Sequence, residues 1–406
     1  MSGSRISVLH ALTDSVSTVL MRGQLAYLKA NGFDPVLLSS PGKELDRIGA
    51  QEGYPVIGVA MKREISPLSD LRSFFEIWRL LRRIKPVICN SGTPKAGLLV
   101  GLAAWITCMP CRIYTLRGLR LETAKGVKRI ILTFAEKVSC FTAHRVVCVS
   151  ASLRERAIAL RLVSRTKTVL LGAGSSNGVD PSRFEPTPEK VASAAVLRQN
   201  LGIRPDQPVI GFAGRFTRDK GLPELVTAFE AIRKGLPQAA LLLVGSYEEG
   251  DPVPNDIRNA IESEPGIHRV EFTPQIELYY LVMNVFVLPT HREGFPNTVL
   301  EAQAAGLPVV TTVATGAVDA IDDGVTGLLT PVGDAAKLAE AVRSLLLDPA
   351  KMQLMGRLGR DRVLREFRNE AVWAALASFY RTALQERGYA LPDNSCVEAR
   401  GCAQTP

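Results

Sequence analysis

Two carboxylates lie eight residues apart around a short turn, in the stretch EGFPNTVLE that runs from Glu293 to Glu301. The apolar run at 285–288 before it predicts a buried strand, and Pro296 is well placed to begin a helix. Backbone amides in the first turn of such a helix have no partner within the helix and can bind an anion. Carboxylates repel phosphate, but they accept hydrogen bonds from sugar hydroxyls. The stretch therefore predicts a site for a nucleotide-sugar.

The residues of this stretch divide into separate predicted roles. Glu293 lies before the turn, where it can contact the transferred sugar, and Glu301 lies one turn into the helix, where it can contact the ribose. The alternative is structural, with Glu293 as a partner of the helix dipole and Glu301 as a surface acid. The predicted donor-binding residues are Gly214, Gly294, Phe295, Pro296, Asn297, Thr298, Val299 and Glu301. The backbone amides expected to be free are those of Asn297, Thr298 and Val299.

A second polar segment, GRFTRDKG, follows another apolar run and spans 214–221. Arg215 and Lys220 stand five residues apart, just before a helix expected to begin near Leu222. A guanidinium and an ammonium beside a helix N-terminus fit a diphosphate, although a turn with two solvated cations is the alternative. The G-x-G-x-x-G pattern of dinucleotide-binding proteins is absent here. We predict that Arg215, Lys220 and Glu293 form the catalytic set.

Apolar runs alternate with helical patterns along most of the chain, which predicts an α/β fold with parallel sheets covered by helices on both faces. In such sheets ligands bind at the carboxyl ends of the strands, where both polar segments lie. Strands are predicted at 5–10, 35–39, 86–90, 112–116, 145–149 and 168–171, and then at 208–213, 239–244, 285–289, 308–312 and 327–330. Helices are predicted at 19–30, 95–106, 125–142, 150–160, 335–347, 350–367 and 369–387.

A chain of 406 residues is too long for one hydrophobic core and predicts two domains. The segment 172–188 is dense in Gly, Ser and Pro, as linkers are. The sequence therefore predicts two Rossmann-like, doubly wound domains that face a deep cleft. The predicted parts are a first domain at 1–176, a linker at 177–188, a second domain at 189–370, a closing helix at 371–388 and a disordered tail at 389–406.

The net charge of +9 is unevenly distributed. Residues 1–180 carry 26 Lys and Arg against 12 Asp and Glu, whereas the other 226 residues carry 23 against 28. This excess predicts an anionic partner for the first half. No aromatic platform or recognition motif for nucleic acid is visible, so an anionic membrane surface is the predicted partner. The helical segment 68–85 is either the membrane contact or a core-facing helix whose basic end complements its own dipole, and the two can coexist.

Other features exclude further classes of protein. Seven cysteines, an odd number, indicate a reducing compartment, and neither the lone Cys108-x-x-Cys111 nor the four scattered histidines predict a metal site. The longest uncharged stretch, 96–111, has 16 residues, short of the ~20 needed to span a bilayer. The N-terminal segment lacks a secretory signal pattern. We therefore predict a cytoplasmic protein without a metal or cofactor.

Taken together, the motifs resemble the GT-B fold glycosyltransferases of family 4, also called group 1, which assemble bacterial surface polysaccharides. The resemblance spans nearly the whole chain. Its motifs are an interdomain NGVDxxxF at 177–184, the GR…KG pair at 214–221, the E-x7-E motif at 293–301, and the segments GLPVV at 306–310 and GVTGLL at 324–329.

The resemblance implies a retaining, metal-independent enzyme that moves a hexosyl or N-acetylhexosaminyl group from a nucleotide-diphosphate-sugar, with a UDP-sugar favoured. The segments 91–97 and 114–119 resemble those of members that extend undecaprenyl-diphosphate-linked sugars. The implied acceptor is such a glycan, in capsule, O-antigen or exopolysaccharide assembly, and the implied location is the inner face of the cell membrane. The first domain would bind the acceptor and the second the donor.

Two positions in the first domain depart from the family pattern. Many relatives have a histidine where this chain has Arg117, and an arginine cannot act as a general base, so we predict a binding role. The first loop, TDSVST at 13–18, replaces a Gly-Gly turn. Its hydroxyls either donate to phosphate or acceptor or only cap a helix, and the role of Asp14 is open. The predicted acceptor or phosphate residues are Asp14, Ser15, Ser17, Thr93, Lys95 and Arg117.

Three other functions share parts of this pattern. A sugar-nucleotide 2-epimerase or a related hydrolase would use the same phosphate contacts but would need extra acids or histidines. A nicotinamide-dependent oxidoreductase would need the absent G-x-G-x-x-G. A non-catalytic, membrane-docked sugar-nucleotide-binding protein would keep Arg215, Lys220 and Glu301 without a specialised acceptor side.

Overall fold

The computed structural model describes residues 5–64 and 66–389 of the chain. These residues form two compact units. Unit 1 contains 5–149, 154–177 and 369–389, and unit 2 contains 150–153 and 178–368. Apart from Tyr389, the predicted tail lies outside the described residues.

Unit 1 contains a parallel sheet of seven strands in the order β3-β2-β1-β4-β5-β6-β7, the doubly wound order that reverses between β1 and β4. Its strands are β1 Ile6–Ala11, β2 Phe33–Ser39, β3 Val56–Gly58, β4 Ile88–Ser91, β5 Cys111–Leu116, β6 Arg145–Cys148 and β7 Thr168–Leu170. The helices in this part of the chain are α1 Gln24–Ala30, α2 Lys43–Glu52, α3 Pro67–Ile84, α4 Pro94–Ile106, α5 Gly126–Thr142 and α6 Ala151–Ala159.

The core of unit 1 covers both faces of the sheet, because β1 contributes to two separate clusters. Val8 packs in one cluster and its neighbour Leu9 in the other, as the alternation of side chains along a strand requires. Helix α3 belongs to the second cluster through Ile77 and Leu81, so its core-facing interpretation is confirmed. The basic residues near its end are exposed.

Unit 2 contains a parallel sheet of six strands in the order β10-β9-β8-β11-β12-β13, again with a reversal at its centre. Its strands are β8 Val209–Ala213, β9 Ala240–Val244, β10 Ile267–Val270, β11 Val285–Leu288, β12 Val309–Thr312 and β13 Gly327–Thr330. Its helices are α7 Pro188–Asn200, α8 Leu222–Gly235, α9 Asn255–Ser263, α10 Ile276–Val282, α11 Asn297–Ala304, α12 Ala335–Leu346 and α13 Pro349–Glu366. Strands β8, β9 and β11 are buried along their whole length.

The last helix, α14 (Asn369–Gln385), belongs to unit 1. Its Leu376 and Tyr380 lie in the core cluster that contains Val8. The Tyr380 hydroxyl accepts a hydrogen bond of 2.6 Å from the Asn90 side chain, at the end of β4. Trp373 donates to the Asn177 side chain over 2.6 Å. Helix α14 therefore holds the start of the NGVD segment within unit 1.

The predicted fold class, two doubly wound parallel sheets, is confirmed, and the differences concern single elements. The helix predicted at 19–30 is a 3-10 helix, Ser15–Met21, followed by α1, because Gly23 between them has a φ of 74°. Sequence patterns missed two outer strands, β3 and β10, which have three and four residues. Helices α2, α7, α9 and α10 were also missed.

Candidate active site

The site in unit 2 is built on two loops that follow the central strands β8 and β11. Gly221, the residue before α8, has a φ of 76°, and a Cβ there would lie 2.0 Å from the Pro289 carbonyl oxygen. Any side chain at Gly221 would push these loops apart. The glycine therefore places the end of the GRFTRDKG segment directly against the loop that leads to Glu293.

Two of the three predicted catalytic side chains form an ion pair. The Lys220 ammonium contacts the Glu293 carboxylate, and the two side chains are only 14% and 12% exposed. Arg215 lies apart from this pair, since its guanidinium contacts Glu248 and its side chain is half exposed. The structure thus brings together Lys220 and Glu293 but gives Arg215 a different acidic partner, which sequence patterns did not identify.

Asp219, which sequence reasoning missed, connects the two loops. Its carboxylate accepts hydrogen bonds of 2.6 Å from both Thr217 and Arg292. Its carbonyl accepts from the amide of His291 over 2.8 Å. Burial would raise the pKa of this carboxyl, but the Arg292 guanidinium and the Thr217 hydroxyl hold it below its ordinary value. Asp219 therefore joins the loop that carries Lys220 to the loop that leads to Glu293.

A second missed pair lies at the start of α8. The Glu224 carboxylate contacts the His291 imidazole at 2.9 Å, and this hydrogen bond raises the pKa of His291 above its ordinary value. Burial acts to raise the pKa of Glu224, but the same hydrogen bond lowers it overall. The sequence did contain a signal for His291, because it lies two residues after the end of the strand predicted at 285–289, where ligand-binding residues are expected.

The segment from Glu293 to Pro296 is held mainly by the backbone. The Glu293 amide donates to the Thr315 carbonyl over 2.8 Å. A Cβ on Gly316, whose φ is 78°, would lie 2.4 Å from the Gly294 carbonyl oxygen. The Phe295 ring is buried and packs on Phe367 with ring centroids 5.2 Å apart. The side chain of Phe295 therefore supports the turn, and its predicted part in donor binding stays a prediction.

Helix α11 presents fewer free amides than predicted. The Val299 amide donates to the Pro296 carbonyl over 3.1 Å, so the expectation that it is free was wrong. Proline at this position closes a tight first turn, which uses that amide. Within the described chain the amides of Asn297 and Thr298 have no acceptor, and the buried Asn297 Oδ1 has no donor. The two amides remain available to a ligand.

Glu301 lies largely inside unit 2, so it is not the surface acid of the structural alternative. Its carboxylate accepts a hydrogen bond of 2.9 Å from the hydroxyl of Tyr280 on α10, whose side chain is fully buried. Burial raises the pKa of Glu301, and the hydrogen bond from Tyr280 opposes this shift. Tyr280 was not predicted, because nothing in the sequence relates α10 to the E-x7-E stretch.

The predicted acceptor loop of unit 1 is a helix cap. Asp14 accepts hydrogen bonds from both the amide and the hydroxyl of Ser17, at 3.0 and 3.1 Å. Ser15 packs on Gly42, where a Cβ would come within 2.3 Å of its hydroxyl. The capping interpretation is thus confirmed for Asp14 and Ser17, which does not prevent either from also contacting a ligand.

Two other predicted residues of unit 1, Thr93 and Lys95, line an open groove of about 220 Å³. The Thr93 hydroxyl contacts that of Thr13 at 2.7 Å, and Lys95 donates to Asp70 over 2.7 Å. Arg117 does not line this groove. The residues that line the groove include Thr13, Asp14, Ser17, Arg63, Asp70, Thr93, Lys95, Leu98, Arg120, Ile131 and Leu132.

Arg117 lies deep in unit 1, and burial lowers its pKa to about 10, so it stays protonated at neutral pH. One nitrogen donates a long hydrogen bond of 3.5 Å to the Ser176 carbonyl, and Nε is buried without a partner. In the described part of the chain no carboxylate forms an ion pair with it. This cation can bind an anionic group but cannot remove a proton.

The described residues contain neither a candidate metal cluster nor a candidate membrane-spanning helix. No group of three His, Cys, Asp or Glu side chains among them could hold a metal ion. Likewise, none of the helices between residues 5 and 389 has the length and apolar content needed to cross a bilayer.

Comparisons with known proteins identify similar chains and similar folds. The model for glycosyl transferases group 1 matches residues 194–362, and the model for the glycosyl transferase 4-like domain matches residues 17–174. The chain is 38% identical over 379 residues to the capsular polysaccharide biosynthesis glycosyltransferase CapM of Staphylococcus aureus, which covers 93% of this chain and 98% of that protein.

A more distant relative is the UDP-Gal:alpha-D-GlcNAc-diphosphoundecaprenol alpha-1,3-galactosyltransferase of Escherichia coli, 23% identical over 75% of this chain and 78% of that protein. Among solved structures, Anabaena Alr3699/HepE in complex with UDP-glucose has a TM-score of 0.77 and 18% identity, covering 93% of this chain and all of that one. Sucrose-phosphate synthase from Thermosynechococcus elongatus has a TM-score of 0.77 and 21% identity, covering 94% and 100%. At these identities the likeness to both structures is one of fold.

Proposed function

The chain belongs to the group 1, or family 4, glycosyltransferases and has their GT-B fold, and from this premise we propose the reaction that it catalyses. It transfers a hexosyl or N-acetylhexosaminyl group from a nucleotide-diphosphate-sugar to a glycan acceptor. A UDP-sugar is the favoured donor, because the galactosyltransferase relative and the HepE complexes are named with one.

The observation that carries the proposal is the Lys220–Glu293 ion pair at the edge of the unit 2 sheet. A buried ammonium beside the N-terminus of α8 is a site for a phosphate group, and the free amides of Asn297 and Thr298 offer a second one. Glu301 lies four residues after Asn297 on α11, and its carboxylate is the proposed acceptor for hydroxyls of the ribose. The donor site thus needs residues of unit 2 alone.

Donor binding would rearrange the ion pair. The diphosphate carries negative charge that competes with Glu293 for Lys220, so the carboxylate is released when the phosphate takes its place. The released Glu293 then accepts hydrogen bonds from hydroxyls of the transferred sugar. The unliganded pair keeps both charges neutralised, which avoids the large cost of a lone buried charge.

The proposed mechanism is electrostatic. As the bond between the sugar and the diphosphate breaks, Lys220, Arg215 and the α11 amides stabilise the charge on the leaving group, without a metal ion or another cofactor. Arg215 must leave Glu248 to contribute. We propose retention of the anomeric configuration, with the acceptor hydroxyl attacking on the face of the leaving group and passing its proton to the departing diphosphate.

The proposed acceptor is a sugar linked to a lipid diphosphate, of the undecaprenyl class, in assembly of a capsule, O-antigen or exopolysaccharide. The names of CapM and of the E. coli galactosyltransferase support this class. The excess of basic residues in the first 180 positions supports a location at the inner, anionic face of the cell membrane.

Radiolabelled donors test the proposed function directly. The purified protein is incubated with lipid extract and a panel of UDP-, GDP- and TDP-sugars, and label is followed into the lipid fraction. We expect transfer from one donor, with a UDP-sugar first. Conversion of free donor without transfer would indicate an epimerase or hydrolase, and binding without turnover of any donor would indicate a non-catalytic protein.

A further inference from the structure

Helix α5 has its apolar and polar sides reversed relative to a helix that packs on a core. Its buried residues are Glu136, Ser139, Cys140 and Thr142. Val127, Ile130 and Phe134, by contrast, are 70%, 69% and 67% exposed. A helix that covers a sheet normally turns such residues inward. The arrangement is therefore explained only if something apolar covers the outer side.

The exposed apolar residues form one continuous stripe. Val127, Ile130, Ile131, Phe134 and Phe141 follow the spacing of neighbouring turns, so they share one side of the helix. At the far end, the Phe141 ring meets the exposed Trp105 of α4 edge-on, with centroids 6.0 Å apart. Tryptophan and phenylalanine beside aliphatic residues are typical of helices that lie in a membrane interface.

Lys128 and Lys137 of α5 border this stripe, one on each side, and both are exposed. Arg129 is exposed on another side of the helix, and Lys125 lies just before its start. The one acid of α5, Glu136, points inward, where its carboxylate accepts a hydrogen bond of 2.8 Å from the Tyr114 hydroxyl. We call the exposed apolar stripe with Lys128 and Lys137 the α5 face. Among the residues of α5, this face combines apolar area with positive charge.

We infer that the α5 face docks unit 1 on an anionic lipid leaflet. Two copies of this chain joined through the same face would bring lysines against each other, which disfavours a self-interface. An anionic leaflet offers both an apolar interior for the rings and negative headgroups for the cations. The inference rests on the proposed function, since it supplies the surface from which a lipid-linked acceptor is taken.

The groove of unit 1 adjoins this face. Ile131 belongs both to the α5 face and to the lining of the groove, together with Leu132 and Leu98. The same groove is also lined by Thr13 and Thr93. A substrate carried by the leaflet would thus find apolar residues next to the α5 face and the polar acceptor loop in one groove.

Helix α3, the membrane contact that the sequence suggested, differs in one decisive way. Its exposed apolar residues, Leu68, Leu71 and Phe75, share their turns with Arg72, whose guanidinium forms an ion pair of 3.5 Å with Glu76, and the exposed Arg79 and Arg83 lie in its second half. On α5 the one acid, Glu136, points inward, so no acid of that helix compensates the basic residues beside the apolar stripe. Removing two positive charges from α5 should therefore weaken vesicle binding more than removing two from α3.

The test compares full-length variants in sedimentation with vesicles of phosphatidylcholine and phosphatidylglycerol, and with phosphatidylcholine alone. Wild type is expected to bind the anionic vesicles and to bind the neutral ones far less. Lys128→Gln with Lys137→Gln should weaken binding about thirtyfold, because each basic residue near an anionic leaflet contributes about fivefold. Ile130→Ser with Phe134→Ser should abolish it. The matched control, Arg79→Gln with Arg83→Gln on α3, should change binding less than threefold.

Further measurements separate this inference from the proposed function. All variants should bind UDP in calorimetry, and transfer sugar to a water-soluble acceptor analogue, as wild type does. Wild-type vesicle binding by both α5 variants would overturn the inference while leaving the proposed function intact. A dimer that Ile130→Ser with Phe134→Ser converts to a monomer, without change in vesicle binding, would also overturn it and mark the face as a self-interface.

Discussion

At the scale of single residues, the proposed donor has to break the Lys220–Glu293 ion pair before its diphosphate can contact Lys220. Both side chains are mostly removed from solvent. Among the described residues, neither forms an ion pair with any other side chain. Arg215, being half exposed and paired with Glu248, starts from a more solvated state. The two cations should therefore contribute unequally to catalysis.

Replacing Lys220 tests this inequality. Lys220→Ala should reduce kcat/KM by a factor equivalent to about 2–4 kcal/mol, as the loss of one preorganised charge does elsewhere. Arg215→Ala should fall within this range but at its lower end, because the side chain must first leave Glu248. Steady-state kinetics with the identified donor measures both. Rates within threefold of wild type for both variants would refute the assignment.

The two acids of the E-x7-E motif should separate in binding experiments. Glu301→Ala should weaken the affinity for free UDP, since the ribose loses its acceptor, whereas Glu293→Ala should leave that affinity no weaker, because it removes a competitor for Lys220. Turnover should fall in both. Tyr280→Phe is the control that keeps the carboxylate and removes only its internal donor. Calorimetry decides the matter, and equal losses of UDP affinity in Glu293→Ala and Glu301→Ala would void the roles.

At the scale of elements, the contact of α5 with β5 carries a pH dependence. Burial raises the pKa of Glu136 from 4.5 to about 7, even though its hydrogen bond from Tyr114 opposes the shift. The folded state therefore holds a proton that the unfolded state has released between these two pH values. The contribution of Glu136 to the free energy of unfolding is therefore largest below about pH 4.5, and it is lost as the pH rises through about 7.

Glu136→Gln should remove the fall in stability that Glu136 causes as the pH rises. At pH 8 the variant should be more stable than wild type by up to about 3 kcal/mol, from about 1.4 kcal/mol for each unit of pKa shift. At pH 4 the difference should nearly vanish, because the wild-type carboxyl is then neutral in both states. Thermal denaturation of unit 1 at the two pH values measures it. A variant less stable than wild type at pH 8 would show that the carboxylate is charged and stabilising.

At the scale of the whole molecule, the chain leaves unit 1 at Asn177, forms unit 2, and returns to unit 1 with α14. Leu376, Ala377, Tyr380 and Leu384 of this helix fill the core cluster around Val8. The proposed donor residues, in contrast, all lie in unit 2. Folding of unit 1 and donor binding should therefore respond differently to changes at the C-terminus.

A truncation after Arg368 should destabilise or unfold unit 1, because several fully buried side chains lose their place, each worth about 1.5–3 kcal/mol of apolar burial. UDP binding by unit 2 should persist. A matched truncation after Tyr389 should leave both properties unchanged. Limited proteolysis reports on unit 1, and calorimetry on UDP. Loss of UDP binding in the first truncation alone, with unit 1 intact, would contradict the division of roles.

Local patterns in the sequence predicted most of the strands and the class of fold, because alternating apolar runs and helical periods are properties of adjacent residues. They also predicted a donor site, since polar residues after buried strands meet at one edge of a parallel sheet, and that site stays a prediction. Short outer strands such as β3 were not predicted, because three residues are too few to show a periodic pattern.

Only the tertiary structure decided which side chains meet. Lys220 lies 73 positions from Glu293, and His291 lies 67 positions from Glu224, so no local pattern relates them. The tight turn at Pro296 decided which amides of α11 are free. The hydrogen bond that Glu301 accepts comes from Tyr280 on α10, which no local pattern relates to it. The outward apolar side of α5 was equally hidden, because periodicity identifies an apolar stripe but not the side of the helix that packs. Packing against the rest of unit 1 settles that question, and here it turned the stripe toward the outside.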